Sequence, residues 1–428
     1  MGGKDCMEQE LFTELRPLYE SRKDSPRVIR IKIRLRDSIE PNAYRYAVDT
    51  TMKRYPYFCV ELTKKDGRYI FIDNARPIVI TSSLRGVELN SEDSNYHMIA
   101  FCHEDDWIAI DVFHGLTDGT GVYEVVRTLL YYYCTKRYHV KYDTDGIRLV
   151  GDTISHKEWD DSVANRKDLP TPDRSDMPKA LNLIDMAGIE DDKKSMVYSI
   201  VIEEAQLVNY CKCNGASPTS MVALLMSRAI AKMYPTAEDT IRITVCVNQR
   251  NALEAPLSHH SLVGGAYLVY KDDMRSLSVR EQSDLYRNML REQTTKDNVL
   301  KGVASQVGVY NLILSKETDE ERIELVDAIG CLTKNIVTVN LSYVGKGDFK
   351  EAEEYIRDFR TLTCPAANGI TVEMAAVNGR FTLDFIQTFS SDYFVDAFMK
   401  ELEGNGIGYE LREASELKLP RIRLPWTK

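Results

Sequence analysis

Apolar and basic residues alternate along Val28-Ile29-Arg30-Ile31-Lys32-Ile33-Arg34-Leu35, a period of two that predicts a half-exposed strand. Over 41–55 the apolar spacing becomes helical, and Pro56 ends it. Strand-like runs follow at 58–62, 69–72, 97–102 and 107–113. The segment 121–138 predicts a long helix with Val122, Val125, Val126, Leu129 and Leu130 along one face. From about 143 to 192 the periodicity is lost in favour of Asp, Asn, Lys and proline (Pro170, Pro172, Pro178), which predicts a connection wrapped along the surface. Beyond it come a strand over 196–202, a helix with Ser217 as cap and Pro218 at its first position, and an apolar strand over 241–247.

The two halves end a helix alike. Met52-Lys53-Arg54-Tyr55-Pro56 and Ala231-Lys232-Met233-Tyr234-Pro235 each lead into a strand, because a proline holds the residue before it out of the helical region. The pattern predicts an α/β protein of two similarly built lobes, 1–150 and 193–428, joined by 151–192. A chain of 428 residues is too long for one ordinary core, which agrees.

Charge narrows the function. A formal net charge of -10 argues against nucleic acid, whose phosphates need a basic face. No run reaches the ~20 apolar residues needed to span a bilayer. Met1-Gly2-Gly3-Lys4-Asp5-Cys6 lacks a signal-peptide core, and Cys6 stands where N-myristoylation prefers Ser or Thr. Nine cysteines, an odd number scattered apart from Cys211-Lys212-Cys213, predict reduced thiols and a cytoplasmic location.

The best candidate for chemistry is His114, in the turn between the 107–113 strand and the following helix. A neutral imidazole suits proton abstraction near neutral pH. Asp118 lies four residues on, and Gly115, Gly119 and Gly121 allow a tight or unusual backbone path. A structural alternative stands beside this: Asp118 as a helix cap and His114 as a buried histidine satisfied by a carbonyl.

The run Asp111-Val112-Phe113-His114-Gly115-Leu116-Thr117-Asp118-Gly119 resembles the HxxxDG signature of the chloramphenicol-acetyltransferase-like superfamily. That group includes plant BAHD acyltransferases, alcohol and polyketide-associated acyltransferases, wax ester synthases and peptide-synthetase condensation domains. Later stretches resemble the family in the same order. They are the small-residue helix 220–233, Thr244-Val245-Cys246-Val247-Asn248-Gln249-Arg250 ending in V-N-x-R, the glycine-containing turn Leu262-Val263-Gly264-Gly265, and the strand Thr338-Val339-Asn340-Leu341-Ser342-Tyr343-Val344-Gly345. Phe113 stands where the double-histidine variant has its first histidine, and the plant DFGWG motif is absent.

The resemblance implies two lobes with mixed sheets flanked by helices and an active-site channel between them. It implies an acyltransferase working through a ternary complex, with His114 as general base. Asp118 would point away from substrate and pair with Arg250, holding the loop that carries Gly119. Ser342 would donate to the oxyanion and Asn340 would contact substrate, with an ordinary strand serine as the alternative at 342. The co-substrate would be acyl-coenzyme A, or a phosphopantetheine thioester on an acyl carrier protein, and the acceptor a small-molecule alcohol or amine. No permanently bound cofactor and no metal is expected, and the chain is expected to be a monomer. Rival expectations are a degenerate binding module, and isomerisation or dehydration by the same histidine.

Other signals are set aside. His259-His260 point in different directions with no carboxylate at ligand spacing, which predicts a loop pair. No G-x-S-x-G elbow or Walker motif occurs. Gly404-Asn405-Gly406-Ile407-Gly408 follows a helical stretch and predicts a loop, Tyr131-Tyr132-Tyr133 predicts helix packing, and Lys193-Lys194 predicts solvated surface.

Overall fold

The computed structural model describes residues 8–164, 166–172, 177–188 and 194–427. The Met1–Cys6 terminus, Lys193 and parts of the 151–192 connection lie outside the described residues.

Trp107–Phe113 is the middle strand of a five-stranded sheet ordered Ile356–Leu362, Val28–Leu35, Trp107–Phe113, Ile99–Glu104, Ile80–Thr81. Val28–Leu35 is half-exposed as expected only toward its far end, where Lys32 is half-buried and Arg34 exposed. The Ile356–Leu362 strand covers its open edge, and Arg30 lies buried against Asp111, whose carboxylate it grips at 2.6 and 2.8 Å. Sequence alternation marks a two-faced strand, and a buried pair of opposite charges makes the Arg30 end of its polar face interior.

Helices Pro41–Arg54 and Gly119–Tyr138 lie together on this sheet. Glu40 caps the first by accepting from the Asn42 and Ala43 amides, Pro41 opens it, and the Tyr55-Pro56 pair closes it. The Tyr55 hydroxyl ties the two helices by donating to the Glu124 carbonyl at 2.9 Å. Within Tyr131-Tyr132-Tyr133, the Tyr132 and Tyr133 hydroxyls accept from the amides of Val150 and Glu40. A smaller sheet pairs Glu8–Glu10, Arg68–Asp73 and Val60–Lys65.

The second large sheet is mixed. Its order is Val263–Tyr270, Ile241–Asn248, Val339–Lys346, Ile370–Val377, Arg380–Gln387, Met196–Glu203, with Glu410–Leu411 and Ser415–Glu416 both on the last strand. Val339–Lys346 runs parallel to both neighbours, while the other pairings are antiparallel. Val263–Tyr270 corrects the expectation of a turn at 262–265, since Gly264 and Gly265 pair with Val247 and Cys246. Glycine there leaves room rather than bending the chain: a Cβ on Gly264 would meet the Gln249 side chain at 2.3 Å.

Helix Pro218–Met233 crosses this sheet's face. Ser217 caps it by accepting from the Ser220 amide, and Met221 to Met226 are all buried. Two cores result. One joins the first half of the chain to Tyr310, Phe359, Ala375 and Leu424. The other lies between Leu181 and Ile407.

The 151–192 connection is pinned at Glu158. This buried carboxylate accepts from the two terminal nitrogens of the Arg54 guanidinium at 2.9 and 3.0 Å and from the Tyr57 hydroxyl at 2.7 Å. No described helix is long and apolar enough to cross a membrane, and every described cysteine is free.

Candidate active site

His114 is the first residue beyond the central strand of the five-stranded sheet. Its amide donates to the Arg27 carbonyl at 2.8 Å, and the chain turns at once, the Leu116 amide donating to the Phe113 carbonyl. Asp118 then caps helix Gly119–Tyr138, accepting from the Gly121 amide at 2.9 Å. The glycines of this loop answer a need for space, and neither Gly119 nor Gly121 has a left-handed φ. A Cβ on Gly119 would meet Val344 at 2.4 Å, and one on Gly121 would meet the His259 carbonyl at 2.6 Å. These contacts bring the loop against the second sheet and the 259–260 segment.

The Asp118 carboxylate is buried and turned toward Arg250. Arg250 grips it bidentately at 2.8 and 2.9 Å, and the Leu262 amide adds a bond at 3.0 Å. Arg250 in turn donates to the Ser258 and His260 carbonyls and is itself buried. Asn248 completes the V-N-x-R segment by accepting from the Arg250 amide at 3.0 Å. The fork geometry suits guanidinium and not ammonium. Capping and pairing thus coexist on one carboxylate, and neither excludes the other.

His114, Asn340 and Ser342 line one cavity of about 320 Å³, bounded by both sheets, helix Leu15–Glu20 and helix Lys296–Leu314. The His114 ring is half-buried, with Nδ1 sealed from solvent and no hydrogen-bond partner among the described residues. Burial pulls the imidazole below its ordinary value, against smaller upward pulls from its own carbonyl and from Asp118. It is therefore neutral at pH 7, the form that accepts a proton.

Ser342 stands beside Glu373 on the neighbouring parallel strand, and Asn340 beside Thr371. Asn340 gives one amide hydrogen to Asn368 at 2.7 Å. Burial drives the Glu373 carboxyl above its usual range, against the hydroxyls of Ser342 and Thr363, the latter donating at 2.8 Å. At the other wall Glu20 pairs with Arg16 at 2.7 Å and Arg27 at 3.2 Å. Burial works to raise the Glu20 carboxyl, but Arg27 and Arg16 outweigh it and hold it below its usual range.

Sequence reasoning missed Glu373, Thr363 and the Glu20–Arg16–Arg27 group. Glu373 left a signal: it is the single charge in Ile370–Val377, and a lone carboxylate in an apolar strand needs a polar destination. The Glu20 group left none, because a short amphipathic opening helix reads as surface.

The His259-His260 pair lies in a loop, as expected, and that loop is a buried junction. His259 Nδ1 lies 2.7 Å from the Glu158 carbonyl. His260 Nδ1 faces Glu14 at 2.8 Å and its Nε2 faces the Trp159 carbonyl at 2.8 Å. Glu14, Asp161 and His260 offer donor atoms within 4.8 Å of one another. The two nearer partners of the His260 ring are acceptors, with the Gln9 side-chain nitrogen farther from Nε2 at 3.4 Å, and donation to both acceptors leaves no lone pair for a metal. Burial works to lower this imidazole, but the Glu14 carboxylate outweighs it and raises it to about 9.

No protein-family model and no curated protein sequence matches the chain. Solved structures do match. TRI101 of F. graminearum, in complex with coenzyme A and T-2 mycotoxin, aligns with a TM-score of 0.61 at 10% identity, over 95% of this chain and 99% of that one. TRI3 trichothecene 15-O-acetyltransferase of Fusarium sporotrichioides also gives 0.61 at 10% identity, over 95% and 96%. The nonribosomal peptide synthetase FmoA3 gives 0.58 at 13% identity, over 95% of this chain and 44% of that one. At these identities the likeness is one of fold: the chain shares its architecture with TRI101, TRI3 and part of FmoA3.

Proposed function

We propose that the protein is an acyltransferase that moves an acyl group from acyl-coenzyme A to a hydroxyl or amine of a small molecule, with His114 as general base. One observation carries this: the neutral imidazole of His114 and the Ser342 hydroxyl line a single cavity, while Asp118 is turned away into a buried pair with Arg250. His114 takes the proton of the acceptor as the acceptor attacks the thioester carbonyl. The carbonyl becomes a tetrahedral oxyanion that Ser342 stabilises by donating a hydrogen bond. Collapse expels the thiolate, which takes the proton held by the His114 imidazolium and leaves as free thiol, returning His114 to its neutral form. Asp118 and Arg250 position the loop of His114 and Gly119 and touch no reacting atom. Asn340 contacts substrate beside Ser342. The two lobes, which we assign to 1–150 and 193–428 with 151–192 between them, are held together by the exchange of Ile356–Leu362 into the first sheet.

The likeness to TRI3, an O-acetyltransferase, and to TRI101 with coenzyme A supports the choice of donor and chemistry. The likeness to part of a nonribosomal peptide synthetase supports a second reading, a carrier-protein phosphopantetheine thioester as donor. Thiol release from a panel of acyl-coenzyme A thioesters, with and without mixed alcohols and amines, separates the two. Acceptor-dependent release is expected. Its absence from every free thioester would sink the coenzyme A reading and leave the carrier-bound donor.

A further inference from the structure

Arg36, Arg357, Arg380 and Arg412 line one pocket of about 170 Å³ at the end of Ile356–Leu362 remote from His114. In the sheet Ile356 pairs with Leu35 and Leu362 with Arg30, while Val28 pairs with Phe113 next to His114. Six residues at about 3.3 Å each put the pocket roughly 20 Å from the cavity described above.

Each arginine arrives from a different segment, and local structure aims it. Arg357 falls in the bulge between Ile356 and Asp358, where the register shifts and the extra residue has no partner. Arg380 begins its strand directly after Asn378-Gly379, a two-residue turn with φ of 48° and 75°. The Arg412 amide donates to the Ser199 carbonyl, and the Arg36 amide to the Tyr355 carbonyl. The Arg36 guanidinium lies over the Tyr355 ring at 4.7 Å.

Four guanidinium groups meet two carboxylates in this lining, Glu354 and Asp358. Asp358 is taken by Arg412, and Arg36 reaches Asp37 outside the pocket at 3.3 Å. Arg357 and Arg380 are exposed and form no ion pair among the described residues, although Glu203 stands opposite Arg380 in the sheet. Converging cations repel one another unless an anion lies between them, and this convergence occurs on a chain of net charge -10. The planar fork of arginine matches an oxyanion edge with two parallel bonds. At about 30 Å³ per water, the pocket has room for a group of a few heavy atoms.

We propose that this pocket is a binding site for a tetrahedral oxyanion of the phosphate class, held by Arg357 and Arg380 with Arg36 and Arg412 behind them. It is separate from the acyl-transfer cavity and stands whether or not that chemistry is upheld. Free phosphate and the phosphate of a small organic ester share the recognised group.

The test is thermal unfolding of the full chain titrated with inorganic phosphate and, separately, phenyl phosphate, against sodium chloride at matched ionic strength. A ligand of the native state raises Tm, and a saturable rise of about 2 °C is expected. Half-saturation should move at least about tenfold in Arg357→Gln/Arg380→Gln, whose Tm in chloride checks that it folds. Arg357→Gln alone serves if the double variant does not. Tighter response to phenyl phosphate supports the site and names an organic ester as its ligand; equal response supports it with free phosphate. No saturable rise beyond the chloride reference, or an unchanged response in the variant, overturns the proposal.

Discussion

At the residue scale the account rests on His114 and Ser342. His114→Ala removes the proposed base, and general-base assistance of this kind is worth about 100- to 10,000-fold, so kcat for acyl transfer should fall by that factor in a variant of unchanged Tm. The pH profile carries the sign. Burial lowers the His114 imidazole, and the proposed mechanism uses its neutral form. The acid limb of kcat/KM should therefore have its midpoint below the ordinary histidine value of about 6.5. A limb centred above that value would assign the titration to another group. Ser342→Ala should cost kcat about 100- to 1,000-fold with little change in KM, because the oxyanion exists only after attack.

At the element scale the question is what holds the loop between strand Trp107–Phe113 and helix Gly119–Tyr138. The buried Asp118–Arg250 pair joins segments 132 residues apart. Removing one partner strands the other, which costs about 3–5 kcal/mol. Asp118→Asn and Arg250→Lys should each lower the unfolding free energy in urea, with activity falling in proportion to the native fraction lost or the loop displaced. The His260–Glu14 pair ties the amino-terminal helix to the same region and responds to pH. The unfolded imidazole titrates near 6.5 and the folded one at about 9, so its stabilisation is full below about 6.5 and is lost as pH rises through about 9. Stability measured across that window should decline by roughly 3 kcal/mol, and Glu14→Gln should flatten the decline. Elements of this loop were legible in the sequence because their signals are local. The Asp118 cap, the proline after Tyr55 and the Ser217-Pro218 helix start each act within one turn. Burial of Arg30 within Val28–Leu35 was not legible, because Asp111 and Ile356–Leu362 supply it from far along the chain.

At the scale of the whole molecule, Ile356–Leu362 is the informative strand. It comes from the second half of the chain yet forms the edge of the first sheet, and its far end, continued by Thr363 and Cys364, lines the cavity with His114. Nothing in its own residues announces this, since an alternating strand pairs with any edge of matching register. The motif order along the chain did convey that His114, Arg250 and Ser342 share a region, and the fold brings these segments together. Glu373, Glu20 and Arg27 complete the cavity from elements whose sequences give no hint of a common destination. A site built from so many segments depends on the approach of two sheets, and sequence reports each strand without its distance to the others.

The most direct test of the central claim is acceptor-dependent thiol release by wild type and by a His114→Ala variant shown to fold by its unfolding curve. Release by wild type and its loss, by at least about 100-fold, in the variant are expected if His114 is the base. Equal release by the two proteins would contradict it and remove His114 as the base.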